Sequence, residues 1–215
     1  MKEIAKTYPL QVFRHRIYIP FLNFIDFVND KKRGIETQKF IKLEDLGIVK
    51  TVGSGYESIS YKKLKYLFSQ SLDNSFTSFL DVGCGLGRPI IVAGEAGFKN
   101  LYGVDVSSNL LEKCKENIKK SGFESKLTFS DVLDYKLPSG KLCIFLFNPF
   151  GEDKMKYLLN NIESRSEETM IFYHNPVHSN VFNSKYIFKK FSWKHFGLYE
   201  EKCFCYLIPA NSNIK

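Results

Sequence analysis

The chain has 215 residues, of which 44% are hydrophobic, and it carries a net charge of +8. This size and apolar content suit one α/β domain with an extension. No stretch has the roughly 18 consecutive apolar residues of a membrane-spanning helix, and the N-terminus has no signal-peptide pattern. The five cysteines lie mostly in apolar segments. We therefore expect reduced core thiols, a cytoplasmic location and no metal site.

The positive charge alone suggests a nucleic-acid partner. Only five of the 31 basic residues are arginines, however, and the lysines are scattered along the chain. Recognition of bases and phosphates favours the arginine guanidinium group, which can form two parallel hydrogen bonds. A lysine-rich solvated surface is therefore the favoured interpretation, and nucleic acid is the minor alternative.

Residues 1–54 are predicted to form a helical extension, in which one or two helices, with an aromatic-rich amphipathic segment, end at Gly34. Residues 55–215 are predicted to form the main domain. Its first helix runs from Tyr61 to Leu72, and either Ser58 or Ser60 caps it. No internal repeat or low-complexity tract interrupts this domain.

The most informative stretch is residues 79–88, FLDVGCGLGR. An apolar run ends in an acid, three glycines alternate with other residues, and a helical pattern follows. This order predicts a buried strand that turns sharply into a helix, where unpaired backbone N–H groups face a ligand. The dinucleotide-binding fingerprint would place glycine where Arg88 stands. The spacing D-x-G-x-G-x-G therefore disfavours an NAD-linked oxidoreductase.

Two further predicted strands end in acids. Asp105 follows a short apolar strand 22 residues after Gly83, and an acid at that position can bind a ribose diol. A solvated acid at the end of a strand is the less favoured alternative. The alternating strand that begins at Lys126 leads to Asp131, for which an ordinary loop acid remains an open alternative.

The rest of the chain completes a sheet. Residues 142–147 form a continuous apolar run, typical of a central parallel strand, and Asn148 follows it. Residues 169–173 form a fifth strand that leads to His174, and two final strands, 186–193 and 203–208, are predicted to pair antiparallel. The predicted fold is α/β, with a seven-stranded, mostly parallel sheet and a C-terminal antiparallel hairpin. Because ligands bind beyond the carboxyl ends of such strands, five strand ends should line one crevice.

The glycine stretch resembles motif I of the class I S-adenosylmethionine-dependent methyltransferases, which have a Rossmann-like fold. The resemblance implies S-adenosylmethionine as the cofactor. It also implies that Asp81 holds the cofactor's amino group, that Asp105 holds the ribose, and that Asp131 meets the adenine amino group. The predicted cofactor-binding residues are Asp81, Gly83, Gly85, Gly87, Asp105, Val106, Asp131, Val132 and Asn148.

The wider pattern is similar to a bacterial group of methyltransferase-like proteins without an assigned substrate, over roughly residues 33–208. It consists of Gly55-Tyr56-Glu57, the glycine stretch, FLFNPFG and Tyr173-x-Asn175-Pro176. Many class I methyltransferases carry their lid at the N-terminus, so residues 1–54 are a candidate lid over the substrate side of the sheet. A packing element is the more common role of an aromatic-rich helix and stays an open alternative.

Asn148-Pro149-Phe150 resembles the N-P-P-Y motif of class I enzymes that methylate planar amino groups. The second proline is missing and the aromatic residue comes one position early, so a turn that merely lines the pocket is an open alternative. We predict Asn148 and Phe150 as acceptor-site residues and His174 as a catalytic residue. Further candidates for a base are Tyr56, Glu57 and His178.

The predicted function is methyl transfer to an unidentified acceptor, with an amine nitrogen of a small molecule or protein side chain favoured. The alternative is a non-catalytic nucleotide-binding or scaffold protein that retains the fold. The three intact acids at strand ends favour a working cofactor site.

Overall fold

The computed structural model describes residues 14–38, 57–70, 75–195 and 199–212. The helices are α1 (Ile19–Arg33), α2 (Tyr61–Phe68), α3 (Arg88–Glu95), α4 (Ser108–Lys120) and α5 (Glu152–Glu163), and a π-helical turn, Arg14–Tyr18, precedes α1. The strands are β1 (Ser78–Val82), β2 (Asn100–Asp105), β3 (Lys126–Phe129), β4 (Leu142–Phe147), β5 (Thr169–His174), β6 (Ile187–His195) and β7 (Tyr199–Ile208).

Across the described ranges, all seven strands join one sheet in the order β3-β2-β1-β4-β5-β7-β6. The first five strands are parallel, and β7 runs antiparallel to both β5 and β6. The predicted fold is confirmed. The order reverses between β1 and β4, and such a switch point is where open α/β sheets form a ligand crevice.

The local signals for helix ends also agree with the structure. Gly34 ends α1 with a φ of 67°, and the side chain of Ser60 caps α2 by accepting a hydrogen bond from the Lys63 N–H. Helix α2 ends at Phe68, four residues before the predicted end at Leu72, which lies outside the described residues. The predicted domain boundary at residues 54–55 also lies outside them.

Two apolar cores lie on opposite faces of the sheet. One contains α2, α3 and α4, with Phe68 and Phe79 in edge-on contact at 5.0 Å between ring centroids. The other contains α5 and residues such as Leu146 and Tyr173. All five cysteines are free and buried in the structure, as predicted.

Helix α1 does not dock through its apolar side chains. Its buried residues are Asp26 and Asp30, whereas Phe21 and Phe24 are exposed, the latter by 60%. The reason lies in Arg88, whose side chain is 0% exposed and needs countercharge from this helix. The helix therefore packs through its polar face.

Arg88 bonds to three separate segments. Its Nη1 donates to Asp26 Oδ2 and to the Ile59 carbonyl, both at 3.0 Å. Its Nε donates to Thr37 Oγ1 at 2.7 Å, and its Nη2 donates to Gln38 Oε1 at 2.9 Å. The first residue of α3 thus holds the described part of the N-terminal extension against the main domain.

Candidate functional site

The glycine turn between β1 and α3 is fixed by backbone hydrogen bonds. The N–H groups of Gly83 and Cys84 both donate to the Val104 carbonyl, at 2.8 and 3.1 Å. Gly83, Gly85 and Gly87 have φ values of 77°, 51° and 85°. These left-handed backbone conformations explain the alternating glycines, since residues with a side chain rarely adopt them.

Two of these glycines also face protein rather than open space. A Cβ at Gly83 would lie 3.0 Å from Pro149 Cβ, and a Cβ at Gly87 would lie 2.6 Å from Cys114 Sγ. Gly83 therefore allows the turn after β4 to approach the glycine turn, and Gly87 allows α4 to do so. This close packing brings the predicted acceptor residues next to the predicted cofactor residues.

Asp81 lies in β1 and is 2% exposed, yet its Oδ2 has no hydrogen-bond partner. Burial, and secondarily the nearby carboxylate of Asp105, raises the pKa of Asp81 well above its ordinary value. An unpartnered buried carboxylate oxygen is costly unless a ligand donates to it. Asp81 is therefore suited to hold an ammonium group.

Asp105, the last residue of β2, stabilises the glycine turn directly. Its Oδ2 accepts from the Gly85 N–H, and its Oδ1 accepts from the Ser107 N–H, both at 2.9 Å. Burial raises the pKa of Asp105, although these backbone donors oppose the effect. The sequence assigned Asp105 to ribose, and the structure adds this second role.

Asp131 follows β3 and is already paired. It bonds to the Lys154 ammonium and accepts from the Leu133 N–H. Partial burial opposes ionisation, but these bonds outweigh it and lower the pKa of Asp131. Val132 is part of the apolar core.

Apolar side chains are exposed near these acids. Val106, immediately after Asp105, is 48% exposed, and Leu133 is 42% exposed. Leu133 is absent from the sequence-based site. Exposed apolar residues next to hydrogen-bonding acids suit a planar aromatic ligand ring.

Asn148 takes a φ of 42° immediately after β4. Its Oδ1 accepts from the Tyr173 hydroxyl at 3.0 Å, and that hydroxyl accepts from the His178 N–H at 3.1 Å. An amide oxygen has two lone pairs, so Asn148 can accept one more hydrogen bond. Phe150 is partly buried against the core on the α5 face.

His174, at the end of β5, is 3% exposed. Its ring lies 4.7 Å from that of Phe147, its Nε2 lies 3.7 Å from Glu201 Oε2, and its Nδ1 has no partner. Burial lowers the pKa of His174 to about 4, so the ring is neutral at pH 7.

Two further candidate bases came from the sequence. Desolvation and the nearby Glu201 carboxylate raise the pKa of Glu57, while Tyr56 lies outside the described residues.

The sequence reasoning missed the role of Arg88 and used it only to exclude a dinucleotide motif. The signal was present in Asp26 and Asp30, two acids spaced four residues apart on an amphipathic helix. Such a pair shares one helix face and indicates a buried basic partner.

Within the described ranges, no group of three or more histidine, cysteine or acidic side chains could hold a metal ion. None of the helices described is long and apolar enough to cross a membrane.

Comparison with known proteins agrees with this geometry. Residues 79–164 match a family model described as a methyltransferase domain. Protein arginine N-methyltransferase 1 of Saccharomyces cerevisiae is 39% identical over 74 residues, which are 34% of this chain and 21% of that protein. Ribosomal protein arginine N-methyltransferase rmt3 of Schizosaccharomyces pombe is 31% identical over 99 residues, which are 45% of this chain and 17% of that protein.

A solved RNA methyltransferase from Salinibacter ruber, in complex with S-adenosyl-L-homocysteine, shares the fold with a TM-score of 0.56 and 13% identity. The match covers 74% of this chain and 98% of that structure. The chain therefore has the fold of the class I methyltransferases, and its residues 79–164 match a methyltransferase domain. The matched segments nevertheless span only about a fifth of the curated relatives' lengths.

The residues present fit S-adenosylmethionine, the cofactor of this class. The unpartnered Asp81 Oδ2 suits the cofactor's amino group, because that group is cationic. Asp105 and the exposed Val106 suit the adenosine part, which carries a diol and an apolar ring face.

We expect Asp81→Asn to stabilise the ligand-free protein while weakening ligand binding. A folded-state pKa raised above the unfolded value of about 4 means that Asp81 costs stability as pH rises toward the folded pKa. The variant should gain about 1–3 kcal/mol near pH 7.5, the typical cost of a buried polar group without a partner. The gain should become smaller toward pH 4, because the wild-type carboxylate is then protonated. Urea unfolding across this pH range, with calorimetry of S-adenosylhomocysteine binding, measures both effects.

The matched control is Asp134→Asn, at an exposed acid in the loop after β3. It should change neither stability nor binding. If Asp81→Asn is instead less stable than the wild type throughout the range, the unpartnered carboxylate is not the cost that we infer.

Burial of His174 should make the stability of the fold depend on pH. A pKa lowered from 6.5 to about 4 stabilises the fold above pH 6.5, and that stability is lost as pH falls toward 4. The shift corresponds to about 3 kcal/mol, at about 1.4 kcal/mol per pH unit. His174→Phe should remove this part of the acid destabilisation. If the free energy of unfolding falls as steeply toward low pH in His174→Phe as in the wild type, the prediction is wrong.

Proposed function

We propose that this protein transfers a methyl group from S-adenosylmethionine to a nitrogen atom of an amine, in a small molecule or a protein side chain. The observation that carries the proposal is the buried, unpartnered oxygen of Asp81 beside the glycine turn. Both fungal relatives are protein arginine N-methyltransferases, which favours a protein side chain as the acceptor.

In the proposed cofactor site, different residues bind chemically different parts of the ligand. Asp81 offers an oxygen to the amino group, and the carboxylate of Asp105 offers its remaining lone pairs to the ribose diol. Val106 and Leu133 offer apolar surface to the adenine ring. When bound, S-adenosylmethionine supplies a methyl group on a positively charged sulfur, so that alignment of the acceptor provides most of the catalysis.

The acceptor half centres on the turn after β4, which packs against the glycine turn through Pro149 and Gly83. Tyr173 donates to Asn148 Oδ1 and so fixes the orientation of the amide. The free lone pair of that oxygen can accept a hydrogen bond from the acceptor N–H and thereby direct its nitrogen. Phe150 supplies an apolar wall.

His174 is too buried to contact an acceptor in this conformation. Its neutral ring packs against Phe147, the residue before Asn148, and so supports the start of the turn. We therefore propose His174 as a positioning residue.

Cofactor binding is the direct test. Calorimetry should detect binding of S-adenosylhomocysteine, and Asp105→Ala should weaken it by about 1.5–3 kcal/mol through loss of hydrogen bonds to a charged group. Asp134→Ala, which removes an exposed acid from the neighbouring loop, should bind as the wild type does. Binding of NAD in place of S-adenosylhomocysteine would overturn the proposal.

The acceptor site is tested by Asn148→Ala. Radiolabelled S-adenosylmethionine and fractionated cell extract identify the acceptor, and the variant should then show a kcat roughly 100-fold lower with cofactor affinity retained. Asn175→Ala is the matched control, since Asn175 has a similar φ of 48° in the turn after β5. Both variants carry the same backbone strain, but only the first should lose kcat.

Equal kcat losses in the two variants would mean that Asn148 acts only through turn stability. Binding of S-adenosylhomocysteine without transfer to any fraction would instead support the scaffold alternative.

A further inference from the structure

The glycine turn is bonded to the N-terminal segment at two separate points. The first is Arg88, which directly follows Gly87 and bonds to Asp26 of α1 at 3.0 Å. The second is Asn117 of α4, whose Nδ2 donates to the carbonyl of Leu86, within the turn, at 3.1 Å. The same Nδ2 donates to the Glu36 carbonyl at 3.1 Å, and Asn117 Oδ1 accepts from the Glu36 N–H at 3.2 Å.

The first connection is part of a closed polar network. Asp30 lies 3.6 Å from Arg88 Nη2 and accepts from the Tyr61 hydroxyl at 2.6 Å. The Tyr61 ring in turn lies 4.5 Å from the Arg88 guanidinium carbon. Asp30 also accepts from the Thr37 hydroxyl at 2.8 Å and from the Gln38 N–H at 2.8 Å. Arg88 and both acids are buried, so their geometry depends on α1 being docked.

We propose that Arg88 and Asn117 couple occupancy of the cofactor site to the docking of residues 19–38. In this proposal Arg88 is a positioning residue: it holds the end of the glycine turn only when α1 supplies its countercharges. By thermodynamic linkage, a ligand that requires the ordered turn must stabilise docked α1 to the same degree. The inference rests on the proposed cofactor site, because it uses a ligand of that site as its probe.

The alternative is that α1 is attached to the domain without any effect on the cofactor site. The Arg33–Glu95 ion pair provides the comparison, since it joins the same two helices at 2.7 Å. Glu95 is the last residue of α3, so this pair lies at the opposite end of that helix from the glycine turn. Both ion pairs attach α1, but only Arg88 adjoins the turn.

The experiment combines hydrogen exchange with calorimetry, using S-adenosylhomocysteine as the probe. In the wild type, the ligand should slow amide exchange in residues 19–38 roughly 10-fold, a typical strength of coupling between sites. Asp26→Asn and Asn117→Ala should each bind the ligand roughly 10-fold more weakly and reduce this ligand-dependent protection. Glu95→Gln should match the wild type in both measurements.

Exchange in β4 serves as the check on folding, because β4 lies at the centre of the sheet. If β4 exchanges as in the wild type, the altered affinity comes from the coupling and not from unfolding. Arg88→Lys, which keeps the charge but not the several donors of the guanidinium, should fall between the wild type and Asp26→Asn.

The results separate the two proposals. A wild type that binds no S-adenosylhomocysteine overturns the proposed function itself. A wild type that binds it without slower exchange in residues 19–38, or Asp26→Asn and Asn117→Ala variants of wild-type affinity, overturns the coupling alone.

Discussion

The buried guanidinium of Arg88 is the constraint on which the arrangement of the N-terminal segment depends. A charge that is 0% exposed is tolerated only with close countercharge and satisfied donors, and here α1 supplies both carboxylates. This requirement reverses the usual orientation of an amphipathic helix, so that Asp26 and Asp30 face inward and Phe24 faces outward. Burial and the nearby Asp30 raise the pKa of Asp26, while Arg88 opposes both effects.

In the crevice, the main electrostatic interaction is repulsion between two buried carboxylates. Asp81 and Asp105 are both buried, and the charge of Asp105 adds to the desolvation that raises the pKa of Asp81. Asp105 is compensated by backbone donors of the glycine turn, whereas one oxygen of Asp81 is not. The fold therefore tolerates an unfavourable buried carboxylate, and in the proposed function a cationic ligand compensates it, so that stability is exchanged for binding.

In the turn after β4, hydrogen bonds fix the orientation of Asn148, which we propose as an acceptor-site residue. The Tyr173 hydroxyl donates a hydrogen bond to Asn148 Oδ1 and accepts one from the His178 N–H. These two bonds connect the ends of β4 and β5. His174, made neutral by burial, packs against Phe147, the residue before Asn148. An amide held in this way presents its remaining lone pair in a fixed direction, which is what alignment of a nucleophile requires.

The sequence by itself determined the α/β fold class, the glycine turn and the acids at the strand ends. These features depend on local periodicity and on residues that are close together in the chain. It could not determine the partners of Arg88, since Asp26 lies 62 residues away, nor the Lys154 partner of Asp131. It also could not show that Asp105 holds the turn while Asp81 Oδ2 is left unpartnered. Such pairings are decided only when distant segments pack together, because burial sets both the need for a partner and the cost of lacking one.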